Sequence, residues 1–204
     1  MAVTASKNSV WQRRVPHLTC DDGGVPEPGT TAVVIVLPDA APLLDAAWRV
    51  DPALVRPGVP AHVSLLYPFV PEPELTGRDE KGVRSLAAGF PAADLLLEEV
   101  VTASGFIAVT VAELQPVVDA FHAQWPGLRP YGGRFGARPA AHVTVAMGAD
   151  DPTTAGLVRA AVGGLLPLRT RAAAVQLLAL TEEGWRPRLT VPLGGSPDGI
   201  LHRP

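Results

Sequence analysis

The chain carries the same short pattern twice, a histidine followed two residues later by a hydroxyl side chain. The first copy is Ala61-His62-Val63-Ser64 and the second is Ala141-His142-Val143-Thr144, so the two histidines lie 80 positions apart. Histidine, with an ordinary pKa of about 6.5, can accept or donate a proton at neutral pH. A hydroxyl can donate a hydrogen bond to a phosphate oxygen. Two such pairs in one cleft would suit acid–base cleavage of a phosphodiester.

The residues around each copy are typical of a β-strand. Pro60 and Pro139 precede the two copies, and apolar residues follow both. Because strand side chains alternate between faces, the histidine and hydroxyl of each copy should share one face. A third match, His17-Leu18-Thr19, lacks the apolar continuation, and we interpret it as a chance occurrence. Since short motifs recur freely, two purely structural histidines remain the alternative at this point.

The composition predicts a globular protein and is compatible with a small anionic ligand. The 204 residues are 47% hydrophobic and 18% charged, with a net charge of −3. This suits one domain, argues against a broad nucleic-acid-binding face, and allows a small anionic ligand or the end of an RNA. The single cysteine, Cys20, cannot form an internal disulfide, and no apolar stretch suggests a membrane span or signal peptide. We expect a cytoplasmic monomer that binds no membrane and needs no obligate protein partner.

Turn residues and periodicity divide the chain into a flexible extension over 1–29, one domain over 30–194 and a flexible tail over 195–204. Within the domain we predict an α+β order that contains two motif-bearing halves. Asp39 should cap the first helix, and Trp48 should lie on its apolar face. The predicted strands are 31–37, 62–69, a pair at 94–102 and 106–111, one from 142, and a hairpin of 171–180 and 185–193; the predicted helices are 41–50, 79–89, 113–125 and 152–165.

A loop rich in arginine and glycine precedes the second motif. Its arginines could grip phosphate and its aromatic residues could stack on a base, whereas the alternative is an exposed, solubilising loop. Glu182-Glu183 is interpreted as a turn, His122 as a helix-surface residue and His202 as part of the tail. His17 and Cys20 could suggest a metal pair, but no second pair completes a site. The loop residues concerned are Arg129, Tyr131, Arg134, Phe135 and Arg138.

The two motifs, set in this order of elements, resemble the 2H phosphoesterase superfamily and in particular its 2'-5' RNA ligase/cyclic phosphodiesterase-like group. The likeness runs from about Thr31 to Gly194. It implies two pseudo-symmetric lobes whose antiparallel sheets flank a central cleft, with helices packed outside. It also implies that His62 and His142 are the catalytic pair and that Ser64 and Thr144 bind the substrate phosphate. Further candidates for substrate binding are Tyr67, Tyr131, Arg134 and Arg138.

Two positions depart from the pattern of that group. Many ligase-like members have an arginine where this chain has Met147, and their first motif commonly continues as Phe-Leu-Gly, where this chain has Tyr67-Pro68-Phe69. We expect a phosphodiesterase that needs no metal or other cofactor and hydrolyses a 2',3'-cyclic phosphate, or a 2'-5' or 3'-5' phosphodiester, at nucleotide or RNA ends. The alternatives are a phosphate- or RNA-end-binding module with little catalysis, a 2'-5' RNA ligase and a histidine–metal hydrolase. The sequence leaves open which histidine is the base.

Overall fold

The computed structural model describes residues 26–194 except 104, 134, 135 and 137. Most of the predicted extension and the whole predicted tail, including His17, Cys20 and His202, lie outside these residues. The described elements are β1 Thr31–Val36, α1 Ala41–Val50, β2 His62–Leu66, α2 Gly77–Ala88, β3 Ala93–Leu97, β4 Val100–Ala103, β5 Phe106–Thr110, α3 Gln115–Gln124, β6 His142–Met147, α4 Pro152–Gly163, β7 Leu168–Ala172, β8 Ala174–Thr181 and β9 Gly184–Pro192.

The strands form a seven-stranded antiparallel sheet in the order β4-β5-β6-β2-β1-β8-β9 and a two-stranded sheet, β3-β7. The predicted α+β class is therefore confirmed. The order β1-α1-β2-α2-β3 is repeated as β5-α3-β6-α4-β7. The two halves meet where β2 pairs with β6, and again where β3 pairs with β7.

Alternation along the strands gives the large sheet one face that packs against helices. Val63 and Val143 are fully buried in the same apolar core as Leu43 of α1 and Phe121 of α3. His62 and Ser64 flank Val63 in the sequence, so they point to the opposite face. That opposite face is the floor of the cleft, and the helices lie behind it.

Equivalent backbone hydrogen bonds fix the start of each motif strand. The N–H of Leu37 donates to the carbonyl of Ala61 at 2.8 Å, and the N–H of Val111 donates to that of Ala141 at 2.9 Å. Ala61 and Ala141 are the residues immediately before the two histidines. Each is therefore bonded to the residue that follows the neighbouring strand, Leu37 after β1 or Val111 after β5. The two histidines are thereby held at equivalent positions in the two halves.

Two predicted strands were wrong in extent because each changes sheets. The 94–102 segment breaks at Glu98-Glu99, so β3 pairs with β7 whereas β4 pairs with β5. The 171–180 segment breaks at Ala173 in the same way, although the β8–β9 hairpin is confirmed. The first motif strand ends at Leu66 rather than at residue 69, before Pro68, which has no N–H to donate to a ladder.

Two predictions about the first helix were also wrong. Asp39 does not cap α1, because it lies in a preceding 3-10 turn and accepts a hydrogen bond from the Thr170 hydroxyl at 3.4 Å. Trp48 is 39% exposed rather than packed in the core. Pro116 lies in the first turn of α3, where a missing N–H is tolerated. Within the described part of the chain, no helix has the length and apolar character to cross a membrane.

Candidate active site

The two motifs are neighbours across the β2–β6 pair at the centre of the large sheet. Val63 is paired with Val143, and the strands are antiparallel. This register places His62 opposite Thr144 and Ser64 opposite His142, with all four side chains on the cleft face. Each imidazole therefore lies beside the hydroxyl of the other motif. The arrangement has the pseudo-twofold symmetry of the two halves.

Both histidine rings are oriented by the same local hydrogen bond. His62 Nδ1 lies 2.8 Å from the carbonyl oxygen of Pro60, and His142 Nδ1 lies 2.6 Å from that of Ala140. A carbonyl can only accept, so we assign the proton to Nδ1 in each ring. The Nε2 atom of a neutral ring then carries a lone pair and is turned away from the backbone. Both Nε2 atoms are suited to exchange a proton with a substrate.

The surroundings of His62 favour its neutral form. Burial is the largest cause that lowers its pKa below the ordinary value, and the charges of His142 and Arg56 lower it further. The hydrogen bond to the Pro60 carbonyl opposes these effects, since it favours the protonated ring. His62 therefore rests as a neutral imidazole at pH 7. A neutral imidazole can accept a proton.

Tyr131 covers the Ser64 side of the site in an unusual backbone conformation. Its φ angle is 51°, and its N–H donates to the carbonyl of Tyr67 at 2.8 Å. The two tyrosine rings contact each other with centroids 5.8 Å apart. The Tyr131 hydroxyl is hydrogen-bonded to the Ser64 hydroxyl, and burial raises the pKa of the phenol. Tyr131 thus remains protonated beside Ser64.

Of the arginines in the predicted loop, Arg129 and Arg138 are among the residues that the structure describes. Arg134 and Phe135 lie outside the described residues, and Arg129 is exposed. Arg138 makes a two-point ion pair with Asp119, with 2.8 Å between Nε and Oδ1. The hydrogen bond from Arg138, helped by one from Gln115, lowers the pKa of Asp119 to about 2. The guanidinium donors of Arg138 are therefore directed at a carboxylate rather than at the cleft.

Sequence reasoning missed two residues near the histidines. Arg56 is exposed, and its charge acts on both His62 and Tyr131, while no carboxylate among the described residues pairs with it. His122, predicted on a helix surface, is partly buried and lines a small cavity together with Ser64, Tyr131 and His142. Neither residue belongs to a motif, so the sequence held no specific signal for them. Within the described ranges, no group of three or more His, Cys, Asp or Glu could hold a metal ion.

Comparisons with known proteins agree with this geometry. The sequence profile of the 2'-5' RNA ligase superfamily matches residues 36–184. The structure is similar to that of E. coli LigT in apo form (TM-score 0.52, 18% identity, 82% of this chain and 99% of that one). It is also similar to E. coli LigT complexed with ATP (0.51, 19%, 82% and 99%) and to a phosphoesterase (0.51, 17%, 81% and 99%).

At these identities the structural likenesses show a common fold, and no curated protein matches the sequence. The profile match is different in kind, because it covers most of the chain and includes both histidine motifs. The chain belongs to the 2'-5' RNA ligase superfamily, within the 2H phosphoesterases.

Proposed function

We propose that the protein is a metal-independent phosphodiesterase that hydrolyses a 2',3'-cyclic phosphate at the end of a nucleotide or RNA. The observation that carries this proposal is the β2–β6 register, which puts two histidines with available Nε2 atoms on one face, each beside a hydroxyl. In-line displacement at phosphorus needs a base on one side and an acid on the other. Two imidazoles from neighbouring strands supply both.

The lowered pKa of His62 supports different roles for the two histidines. His62 has the lowered pKa, so it is the base that takes a proton from water. The water oxygen bonds to phosphorus as the bond from phosphorus to one ribose oxygen breaks. His142, as the imidazolium, donates its Nε2 proton to that departing oxygen. The products are a ribose hydroxyl and a phosphate monoester, and the two histidines exchange protonation states.

The remaining groups bind the phosphate. The Ser64 and Thr144 hydroxyls donate to the non-bridging oxygens, where charge must be held in the transition state. Arg56 supplies a positive charge near His62 and Tyr131. Its effect on the pKa of both His62 and Tyr131 supports this position.

The test is turnover of nucleoside 2',3'-cyclic phosphates and short RNAs with a 2',3'-cyclic end, with and without a chelator. We expect His62→Ala and His142→Ala to lose about 10²- to 10⁴-fold in kcat, the usual worth of general acid–base catalysis. His202→Ala is the matched control, since that histidine was predicted to lie in the tail.

Each other outcome identifies a different function. Loss of activity in the chelator would favour a histidine–metal hydrolase. Nucleotide binding without turnover would favour a binding module. Joining of the cyclic end to a 5'-hydroxyl RNA, in place of hydrolysis, would favour a ligase.

A further inference from the structure

Helix α3 packs against the motif strands near the point where they separate. Val63 with Val143 is the one residue pair that β2 and β6 form within the described part of the chain. Just before His142, the Ala141 N–H donates to the side-chain oxygen of Gln115 on α3 at 2.8 Å. This hydrogen bond holds α3 beside the start of β6.

One face of α3 is turned towards the start of β6. Gln115, Val118 and His122 follow one another at intervals of three and four residues, so they lie on the same face of the helix. Val118 is buried, and His122 is partly buried. Since Gln115 is bonded to the residue before His142, His122 lies about two turns farther along the face that meets the second motif.

A small cavity joins this face of α3 to the two motifs. Its lining includes Ser64 and His142 from the motifs, Tyr131 from the preceding loop and His122 from α3. These four and Tyr67 are the polar residues of the lining, and the other lining residues are apolar. Among the residues that the structure describes, no carboxylate lines this cavity. A space with imidazole and hydroxyl donors and without a carboxylate suits an anion.

The acidic side chains around His122 have partners of their own. Asp119, one turn earlier on α3, is paired with Arg138, and the charge of His122 further lowers the pKa of that carboxyl. On the neighbouring helix α2, Asp79 accepts a hydrogen bond from the Trp125 ring N–H at 3.2 Å. Neither carboxylate lines the cavity, so the charge of a protonated ring in the cavity is balanced only in part.

The other titratable groups at the cavity are donors or positive charges. His142 is the imidazolium in the mechanism proposed above, Tyr67 supplies a phenol, and burial keeps the Tyr131 phenol protonated. Arg56, whose charge acts on Tyr131, adds a further positive charge. Two protonated rings repel each other across a small space unless an anion lies between them. The phosphate of the substrate is the anion that the proposed reaction brings there.

We propose that His122 is a phosphate-binding residue, which donates a hydrogen bond to the non-bridging oxygen held by Ser64. Its ring takes up a proton from solvent as the phosphate binds, and it takes no part in the bond changes at phosphorus. The proposal rests on the function proposed above, because the phosphate bound there is its ligand. With Arg56 acting near His62 and His122 near His142, the phosphate meets a positive charge from each half of the fold.

The kinetic test compares His122→Gln with the wild type on a nucleoside 2',3'-cyclic phosphate at pH 5.5 and at pH 8. Glutamine can still donate a hydrogen bond but carries no charge. The variant should raise KM about 10-fold at pH 5.5 and less than about 3-fold at pH 8, because a hydrogen bond from a charged donor is stronger than one from a neutral donor. Because His62 and His142 carry out the proton transfers, kcat should change little at either pH. Gln124→Ala, at the exposed end of the same helix, is the control and should leave KM unchanged.

Nuclear magnetic resonance of the histidine rings tests binding without turnover in the wild-type protein. The signal of His122 is the one that His122→Gln lacks. Addition of a nucleoside 3'-monophosphate at pH 7 should increase the protonated fraction of that ring, since a bound anion favours the charged form.

The two measurements separate failure of this proposal from failure of the proposed enzyme. A His122 ring that does not respond to the bound monophosphate overturns the phosphate-binding role, and so does an equal rise in KM at both pH values. A fall in kcat at unchanged KM also overturns it, because His122 would then act in the chemical step. A response of the ring without turnover of any cyclic phosphate upholds the role of His122 and overturns the phosphodiesterase.

Discussion

The hydroxyl of Ser64 is hydrogen-bonded to the hydroxyl of Tyr131, whereas its counterpart Thr144 carries a methyl group on the same carbon as its hydroxyl. A β-branched side chain has few rotamers on a strand, so the backbone itself orients the Thr144 hydroxyl. Serine lacks that restriction. The Tyr131 phenol therefore performs for Ser64 the orienting task that the methyl group performs for Thr144. The two hydroxyls that we propose to bind phosphate are positioned by different means.

This relationship predicts that Tyr131→Phe lowers kcat/KM on cyclic nucleotides by about 2- to 12-fold, the worth of one neutral hydrogen bond. The same substitution should have less effect in a Ser64→Thr background, where the added methyl group restricts the hydroxyl. Steady-state kinetics of the two single variants and the double variant measure the coupling. An equal loss in both backgrounds, at unchanged melting temperature, would show that Tyr131 does not act through Ser64.

The lowered pKa of His62 predicts a pH-dependent stability. Above pH 6.5 the ring is neutral in the folded and the unfolded chain, so it has no effect on the balance. As the pH falls below 6.5, the unfolded chain binds the proton first, and the free energy of unfolding decreases until the pH reaches the folded pKa. Urea unfolding at pH 7.5 and 5.5 measures this decrease, and His62→Gln should reduce it.

His142→Gln is the comparison variant for that measurement. It keeps His62 buried, and burial is the first cause of the lowered pKa. The variant should therefore retain most of the pH dependence. If His62→Gln leaves the slope between the two pH values unchanged, another group is responsible for it.

The features predicted correctly from the sequence are those that a short stretch of the chain determines by itself. The alternation at His62-Val63-Ser64 and the proline before each motif are local, so β2 and β6 were found with their cleft-facing side chains. Strand pairing is different, because it depends on partners that are distant in the chain. Residues 94–102 read as one strand, and yet Leu95 pairs with Thr170 whereas Val101 pairs with Ala108.

The same limit applies to the site. Ser64 and Gln176 are both paired with Val34 only because β1 pairs with both β2 and β8. Nothing near Gln176 in the sequence predicts that pairing. Arg138 shows the converse: its basic neighbourhood suggested phosphate binding, but its ion-pair partner Asp119 lies in a helix 19 positions earlier.

Arg56 should contribute to substrate binding more than to the chemical step. Its charge affects the pKa of His62 and of Tyr131 from an exposed position. It should therefore attract the substrate phosphate through an electrostatic interaction that solvent partly screens. We expect Arg56→Met to raise KM for cyclic nucleotides about 3- to 10-fold with little change in kcat, a modest charge-assisted contact. Added salt should raise KM of the wild type more than KM of the variant.

Arg159→Met provides the control for charge alone, because Arg159 is exposed on α4 and outside the cleft. Both variants change the net charge by the same amount. An equal rise in KM for the two would mean that the general field of the protein attracts the substrate. A drop in kcat for Arg56→Met would instead show that Arg56 stabilises the transition state.

Gln115 at the start of α3 should set the position of His142. Its Oε1 accepts from the Ala141 N–H at 2.8 Å, and its Nε2 donates to Asp119 at 2.9 Å and to the Pro139 carbonyl at 3.4 Å. Gln115→Met leaves the buried Ala141 N–H without that partner, so the free energy of unfolding should fall by about 1–3 kcal/mol. The turn before His142 should loosen as well, and kcat should fall with it.

Asp119→Asn is the control, because it removes the exposed ion pair to Arg138 but keeps the Ala141 bond. The free energy of unfolding in urea and kcat should therefore change little. Equal losses in both variants would assign the effect to the ion pair and contradict the role of the Gln115 amide.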